Sequence, residues 1–537
     1  LSADAQALPE LADAIEPVAV EEVAAGEPPA PAPTADASSQ DWYLSLDIGT
    51  TGLSAVLLDR VSDQTYPLYW QSHTDPETAE RVFRLPIRFD WVPDGADAPN
   101  WRVQAVGLDA TALAEPQPQG EETSQLAEEA DSPSGMIPLK SLLKVAVPYR
   151  TANGQDCPTV QWSSRQQFSL WQVQRALAML CSTLKSPERC IALGLEVSQF
   201  QGAIADLSGL IVGYPHNWPD TFCFNVREAI LSTELVMQPA QIFFVEDAIA
   251  AVLSGLPNPA TDGEEAAQTM AQQTIYGSNW RGGTAVISAG AAVTEMALVN
   301  LPAELSTLTY GDFALKAIAY GGDAIDQDII GQLLLSGEAR RGGPTPGDLP
   351  NLFNRAGANG WDWQPRSNNF TDEDWAALNL DPQTFPRPGE PEPFKRRQLQ
   401  QALTGALLGQ SLLEAARYLK LILQHQGQFR LEIGDRRWTI RRRDLESKIF
   451  LPYIQRVNRQ INLLLTQTGV AAQGINQVIC TGGSASLPAF ARWLRQKFPN
   501  ATIVQDTYPS DRPASCSRVA YGLANLARYP RVVDLTR

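Results

Sequence analysis

The sequence predicts an α/β protein made of two lobes on one plan, and three observations predict it. Strand-like and helix-like segments alternate along the chain: apolar runs suit strands at 42–59, 193–213, 241–246, 283–300 and 476–481, and helical spacing recurs at 168–184, 220–235, 396–424, 444–468 and 488–498. The strand–turn–strand stretch LSLDIGTTGLSAVLLD, Leu44 to Asp59, has a pseudo-repeat in AVISAGAAVTEMAL, Ala285 to Leu298, and two such hairpins far apart in sequence suggest a duplicated unit. A length of 537 residues also exceeds one ordinary domain of roughly 100–200.

In chain order, residues 1–40 are Ala, Pro and Asp/Glu without Lys or Arg, and are expected to be a disordered acidic tail. Lobe I is expected over 41–257 and lobe II over 258–513, with a Gly/Pro-rich surface insertion at about 337–395. Further polar insertions are expected at about 112–135 and 260–280. The C-terminal segment 514–537 supplies a helix returning to lobe I and a tail. The Trp-rich run NGWDWQPRSNNFTDEDW suits either a partner-binding loop or a small local core of lobe II. The first residue is Leu1, not Met, so a fragment or processed product is expected.

The net charge of −18 weighs against nucleic-acid and anionic-membrane partners, which require a cationic footprint. The basic run RRWTIRRRD, Arg436 to Asp444, reads as the solvated face of a strand. Cys157, Cys181, Cys190, Cys223, Cys480 and Cys516 have neither a CxxC pair nor metal-type spacing, and His73, His216 and His425 stand apart. No apolar run approaches the roughly 18 residues of a membrane span, so a soluble, cytoplasmic protein is expected.

The chemistry lies in the turns. Gly49-Thr50-Thr51-Gly52 has the small residues that let backbone N–H groups close on a phosphate, with two hydroxyls as extra donors, and Asp47 is placed to hold a hydrated Mg²⁺. An ordinary hairpin turn would use the same residue types. QVICTGGSASLPAFARWLRQKF, Gln477 to Phe498, adds a Gly-Gly turn between an apolar strand and a helix, where a flat or anionic ligand can approach. Walker A, GxGxxG and GxSxG motifs do not occur.

DIGTTG, IVGYPHNWPDTFCFNVREAI (211–230), FFVEDAIAAVLSGL (243–256), AVISAGAAVTEM, YGGDAIDQDI (320–329), LLEAARYLK (412–420), VICTGGSASLP (478–488) and RVAYGLANLA (518–527) follow one another in this order. Together they resemble the nucleotide-binding domain of the heat-shock protein 70 (DnaK-type) chaperones, within the actin/hexokinase superfamily. The resemblance implies a two-lobed actin-like ATPase fold, two RNase H-like lobes with ATP or ADP and Mg²⁺ in the central cleft, and a protein partner or co-chaperone. It makes Asp47 the carboxylate that holds Mg²⁺ through water and Thr50 and Thr51 the phosphate-loop hydroxyls between Gly49 and Gly52. Lys140, with Lys144 nearby, matches the lysine that positions attacking water, though a surface lysine would look the same. Glu246 matches a glutamate that helps place metal and water. Gly290 belongs to the second phosphate hairpin, Gly321 and Gly322 to a further phosphate-proximal turn, Glu414 to a ribose contact, and Gly482, Gly483 and Ser484 to the adenosine loop.

The sequence departs from that pattern where the family has an Asp in the second hairpin, for Ser288 stands there. Ser486 replaces an adenine-stacking arginine whose partner position is Tyr418, an aromatic able to stack instead. The family's peptide-binding domain has no counterpart in this sequence, which closes on RYPRVVDLTR, so client folding by this chain alone is not expected. The expected function is an ATP-binding, chaperone-like protein and weak Mg²⁺-dependent ATPase that opens and closes on nucleotide. The alternatives are a catalytically degraded nucleotide-binding scaffold and a sugar kinase of the same superfamily, for which no catalytic base can be named.

Overall fold

Every residue of β1 (Trp42–Ile48) and β2 (Gly52–Asp59) is buried, which is why both runs are apolar along nearly their whole length: the sheet they form is covered on both faces. The computed structural model describes residues 41–71, 81–93, 101–110, 139–144, 147–150, 156–161, 167–256, 280–336, 340–341, 370–485, 487–506 and 516–533. The tail expected at 1–40, the insertion expected at 112–135, all but the last residue of 260–280, and Ser486 lie outside them.

The first sheet continues through β3 (Gln64–Trp70), β4 (Leu85–Pro86), β5 (Cys190–Ala192), β6 (Leu207–Tyr214) and β7 (Ile242–Glu246), in the order β5-β3-β2-β1-β6-β7 with β4 against β2. The second contains β8 (Gly282–Ala289), β9 (Thr294–Leu301) and β10 (Phe313–Ile318). After a separate ladder of β11 (Gln428–Ile433) and β12 (Arg436–Arg441), it gains β13 (Ile475–Thr481) and β14 (Thr502–Gln505), giving β10-β9-β8-β13-β14. Both sheets have three antiparallel strands followed by two parallel additions beside the first strand of the hairpin. The pseudo-repeat seen in sequence is thus a repeat of strand order and sense.

A shared core joins the two sheets. Helix Asp247–Leu253 packs on β8, β9 and β13, and helix Arg518–Asn525 packs on β1, β2 and β6. The helices also pack on each other, and a Cβ at Gly522 would lie 1.6 Å from the Ala250 carbonyl oxygen, so glycine is what permits the crossing. Val56, Ile211, Val286, Ile479, Ala248 and Leu523 belong to this core. The buried Arg518–Asp506 pair at 2.7 Å, with Ser254 Oγ accepting from Arg518 at 3.1 Å, ties β14 to both helices. Separate apolar clusters cover the outer faces of the two sheets.

Three sequence expectations need correction. The strand expected over 193–213 is a helix, Val197–Ala205, followed by β6; Phe200, Ala203 and Ile204 are its buried residues, at helical spacing. The helix expected over 396–424 is two, Pro393–Thr404 and Leu407–His425, broken at Gly405. The surface insertion at 337–395 is partly core. Helix Asp372–Ala377 buries Trp375 against Trp438, with the Arg436 guanidinium 3.8 Å from the Trp375 ring centre, which is the local-core reading of the Trp-rich run. Trp361 and Trp363 lie outside the described residues. The basic run alternates as expected, with Trp438 and Ile440 buried and Thr439 and Arg441 exposed. No helix among the described residues is long and apolar enough to cross a membrane, and Cys181, Cys190, Cys223 and Cys480 are free thiols.

Candidate functional site

Parallel strands gather ligand-binding loops at their carboxyl ends, and here five strand ends from both sheets meet. A cleft of about 320 Å³ is lined by Asp47 and Gly49 to Thr51 around the end of β1, Pro215 and Trp218 after β6, and Asp247 after β7. From the second sheet come Ser288 and Gly290 to Val293 around the end of β8, and Thr481 to Gly483 at the end of β13; Arg84, Lys140, Glu295, Ser517 and Val519 complete it.

The two hairpin turns close alike. The Gly49 N–H donates to the Gly52 carbonyl at 3.0 Å, and the Gly290 N–H donates to the Val293 carbonyl at 3.0 Å. Superposing the turns by this bond makes Asp47 equivalent to Ser288. Across each hairpin, Asp47 pairs with Ser54 and Ser288 pairs with Glu295. Acid and serine have exchanged strands, so the carboxylate missing at position 288 stands opposite it. Glu295 is buried and accepts the His216 backbone N–H at 2.7 Å. Burial, with repulsion from Asp247, holds its carboxyl well above the usual carboxylate range.

Lys140 reaches the cleft, where its Nζ lies 3.3 Å from Asp247 Oδ2. Both are buried, and Gly213 makes the room, since a Cβ there would sit 2.4 Å from Asp247 Oδ1. Burial pushes the Asp247 carboxyl up to about 6, with Lys140 acting in the opposite direction. Glu246, the acid expected at the site, is not among the cleft-lining residues. It accepts from the Tyr310 hydroxyl at 2.6 Å and lies 3.4 Å from His216 Nδ1. The strand-to-helix junction between residues 246 and 247 turns consecutive acids to different neighbours, and Asp247 is the one presented to the cleft.

The far wall is partly as expected. Gly482 has φ +87°, and a Cβ there would lie 2.4 Å from the Ala289 carbonyl oxygen, whereas a Cβ at Gly483 would meet nothing within 4 Å. Ser484, Gly321 and Gly322 buttress the second turn from behind. The Ser484 and Gly322 N–H groups donate to the carbonyls of Ala289 and Gly290, at 3.0 and 2.9 Å, and a Cβ on Gly321 would strike the Ala291 carbonyl oxygen at 2.5 Å. Glu414 and Tyr418 are not cleft-lining residues. Tyr418 sets its ring edge-on to Phe429 at 5.4 Å, so the helix face turned toward Gly322 is that of Lys420. The Lys420 ammonium donates to the Gly322 carbonyl at 3.2 Å and pairs with Asp326 at 2.8 Å.

Arg84 gave no sequence signal. Its Nη1 lies 3.4 Å from Asp47 Oδ2, and its side chain lies over the first turn. The donor set therefore does not fit a resident Mg²⁺: Asp47 faces Arg84, Asp247 faces Lys140, and Glu295 accepts a backbone N–H. Among the described residues no three His, Cys, Asp or Glu side chains are grouped to hold a metal ion. What the cleft offers is fixed cations beside small-residue turns, a setting for an oxyanion. Lys144 is not a cleft-lining residue; its ammonium lies 4.6 Å from the ring centre of Trp218, which is one. No protein-family model and no curated protein matches the chain.

Proposed function

We propose that the chain is an ATP-binding protein of the two-lobed actin-like architecture, similar to the nucleotide-binding domain of the heat-shock protein 70 chaperones. It takes the nucleotide's phosphates between its two hairpin turns and signals to a protein partner through the relative motion of its sheets. One observation carries this reading: two turns closed by the same Gly N–H bond and a third, Gly-Gly turn converge on one cleft at the carboxyl ends of parallel strands. The repeated strand order and the two helices packed between the sheets support it further. Hydrolysis is proposed to be slow or absent, because phosphoryl transfer depends on positioned metal and water and the cleft's carboxylates are already engaged. That inclines the protein toward a nucleotide-governed scaffold. The sugar-kinase alternative gains no support, since every acid in the cleft has a charged or N–H partner and none stands ready as a base.

The test is thermal unfolding with ATP, ADP and pyrophosphate, each with and without Mg²⁺. Ligand at 100 times its dissociation constant stabilises by about 2.7 kcal/mol, so a clear rise in midpoint is expected with at least one nucleotide. No rise with any of them at millimolar concentration would overturn the reading.

A further inference from the structure

We propose that Arg84 takes the place of a divalent cation in this cleft, so that the site binds nucleotide polyphosphate without metal. The proposal rests on the nucleotide reading and names the cation that serves it.

The observations start from the backbone. β4 pairs with β2 at Gly52↔Pro86 and Leu53↔Leu85, and the Ile87 N–H donates to the Thr51 carbonyl at 3.1 Å. Leu85 and Ile87 are buried in the apolar cluster on the outer face of the first sheet and Phe83 in the core shared by the two sheets, and Arg84 stands at the bend between them. A Cβ on Gly52 would lie 2.6 Å from Arg84 Cγ and 2.8 Å from its Nε, and one on Gly49 would lie 2.3 Å from its Nη2. The side chain therefore runs along the glycine edges of the turn from Gly52 to Gly49. Glycine at both positions is what lets it lie there.

The guanidinium is held but not used up. It gives Nη1 to Asp47 at 3.4 Å, its side chain is 30% exposed, and it lines the cleft. A guanidinium has five N–H donors in a planar fork that matches two phosphate oxygens at once. Lys140, which also lines the cleft and pairs with Asp247, supplies a second fixed positive charge. A divalent ion held by Asp47 would have to displace Arg84 or stand beside it at the cost of like-charge repulsion.

The experiment is equilibrium binding of ATP and of pyrophosphate in excess EDTA and in excess Mg²⁺, for the natural chain, Arg84→Gln and Arg84→Lys. The natural chain is expected to bind at least as tightly in EDTA as in Mg²⁺. Arg84→Gln should weaken binding in EDTA by about 10- to 100-fold, the usual consequence of losing charged hydrogen bonds, and should regain part of it with Mg²⁺, because Asp47 is then released. Arg84→Lys, which keeps the charge and loses the fork, should fall between. Binding by the natural chain only when Mg²⁺ is present would overturn the Arg84 proposal and leave the nucleotide reading standing. Unchanged affinity of Arg84→Gln in EDTA, with its ligand-free unfolding midpoint retained, would do the same. Absence of binding by the natural chain under both conditions would overturn both.

Discussion

Gly482→Val is expected to abolish the nucleotide-dependent rise in unfolding midpoint and to lower the stability of the free protein by about 3 kcal/mol or more. At φ +87° a β-branched residue is strained wherever it has room, and here it has none. Its Cβ would be driven to 2.4 Å from the Ala289 carbonyl oxygen, a backbone atom at the carboxyl end of β8 that also accepts the Ser484 N–H. The β8 and β13 ends must part, and both carry walls of the cleft. Gly483→Val provides the contrast. A Cβ there meets nothing within 4 Å, so the free protein should keep its unfolding free energy within about 1 kcal/mol. Gly483 lines the cleft, so the new side chain should still reduce the nucleotide shift. Denaturant unfolding of both variants with and without ATP checks the pair. Equal losses of stability in the two would contradict the placement of this loop.

Lys140→Met is expected to destabilise the protein by about 3–5 kcal/mol at pH 8, the usual consequence of leaving one member of a buried ion pair behind. Asp247 would remain buried, with Asp47 and Glu295 adding repulsion. The pH dependence has a definite sign. The folded-state carboxyl of Asp247 is raised to about 6 from an ordinary 3.8, so the stabilisation tied to its neutral form is complete below about 3.8 and is lost as pH rises through 6. Lys140 acts to lower that carboxyl, so its removal moves the loss to still higher pH. The deficit of Lys140→Met relative to the natural chain should therefore shrink between pH 8 and pH 5.5. Adding Asp247→Asn to Lys140→Met should restore much of the stability at pH 8. Unfolding midpoints across this range provide the check, and a deficit independent of pH would show that Asp247 is not what Lys140 balances.

What could be read in the sequence depended on whether a residue's neighbours are set locally. Asp47, Gly49 to Thr51, Gly290, Gly482 and Gly483 were legible because a strand followed by small residues places a turn at a sheet's end whatever the rest of the chain does. Lys140 was placed by resemblance alone, and the structure puts it in the cleft. Arg84 was hidden because its position comes from a two-residue pairing of β4 with β2 across a sequence separation of some thirty residues. Glu295 was, with Asp323, one of the nearest acids by sequence that could stand in for the one missing at Ser288; the hairpin register makes it the partner of Ser288. Glu246 and Asp247 are adjacent acids, and only the fold decides which faces the cleft. Tyr418 was matched by its motif position, but the orientation of its helix is set by packing, which turns it to Phe429.

The central claim is that the cleft between the two hairpin turns binds nucleotide, and calorimetric titration of ATP into the full chain tests it most directly. The predicted result is saturable binding of one ATP per chain, competed by pyrophosphate and lost in Gly482→Val. Millimolar ATP and pyrophosphate producing no saturable heat, or ATP binding undiminished by Gly482→Val, would contradict it.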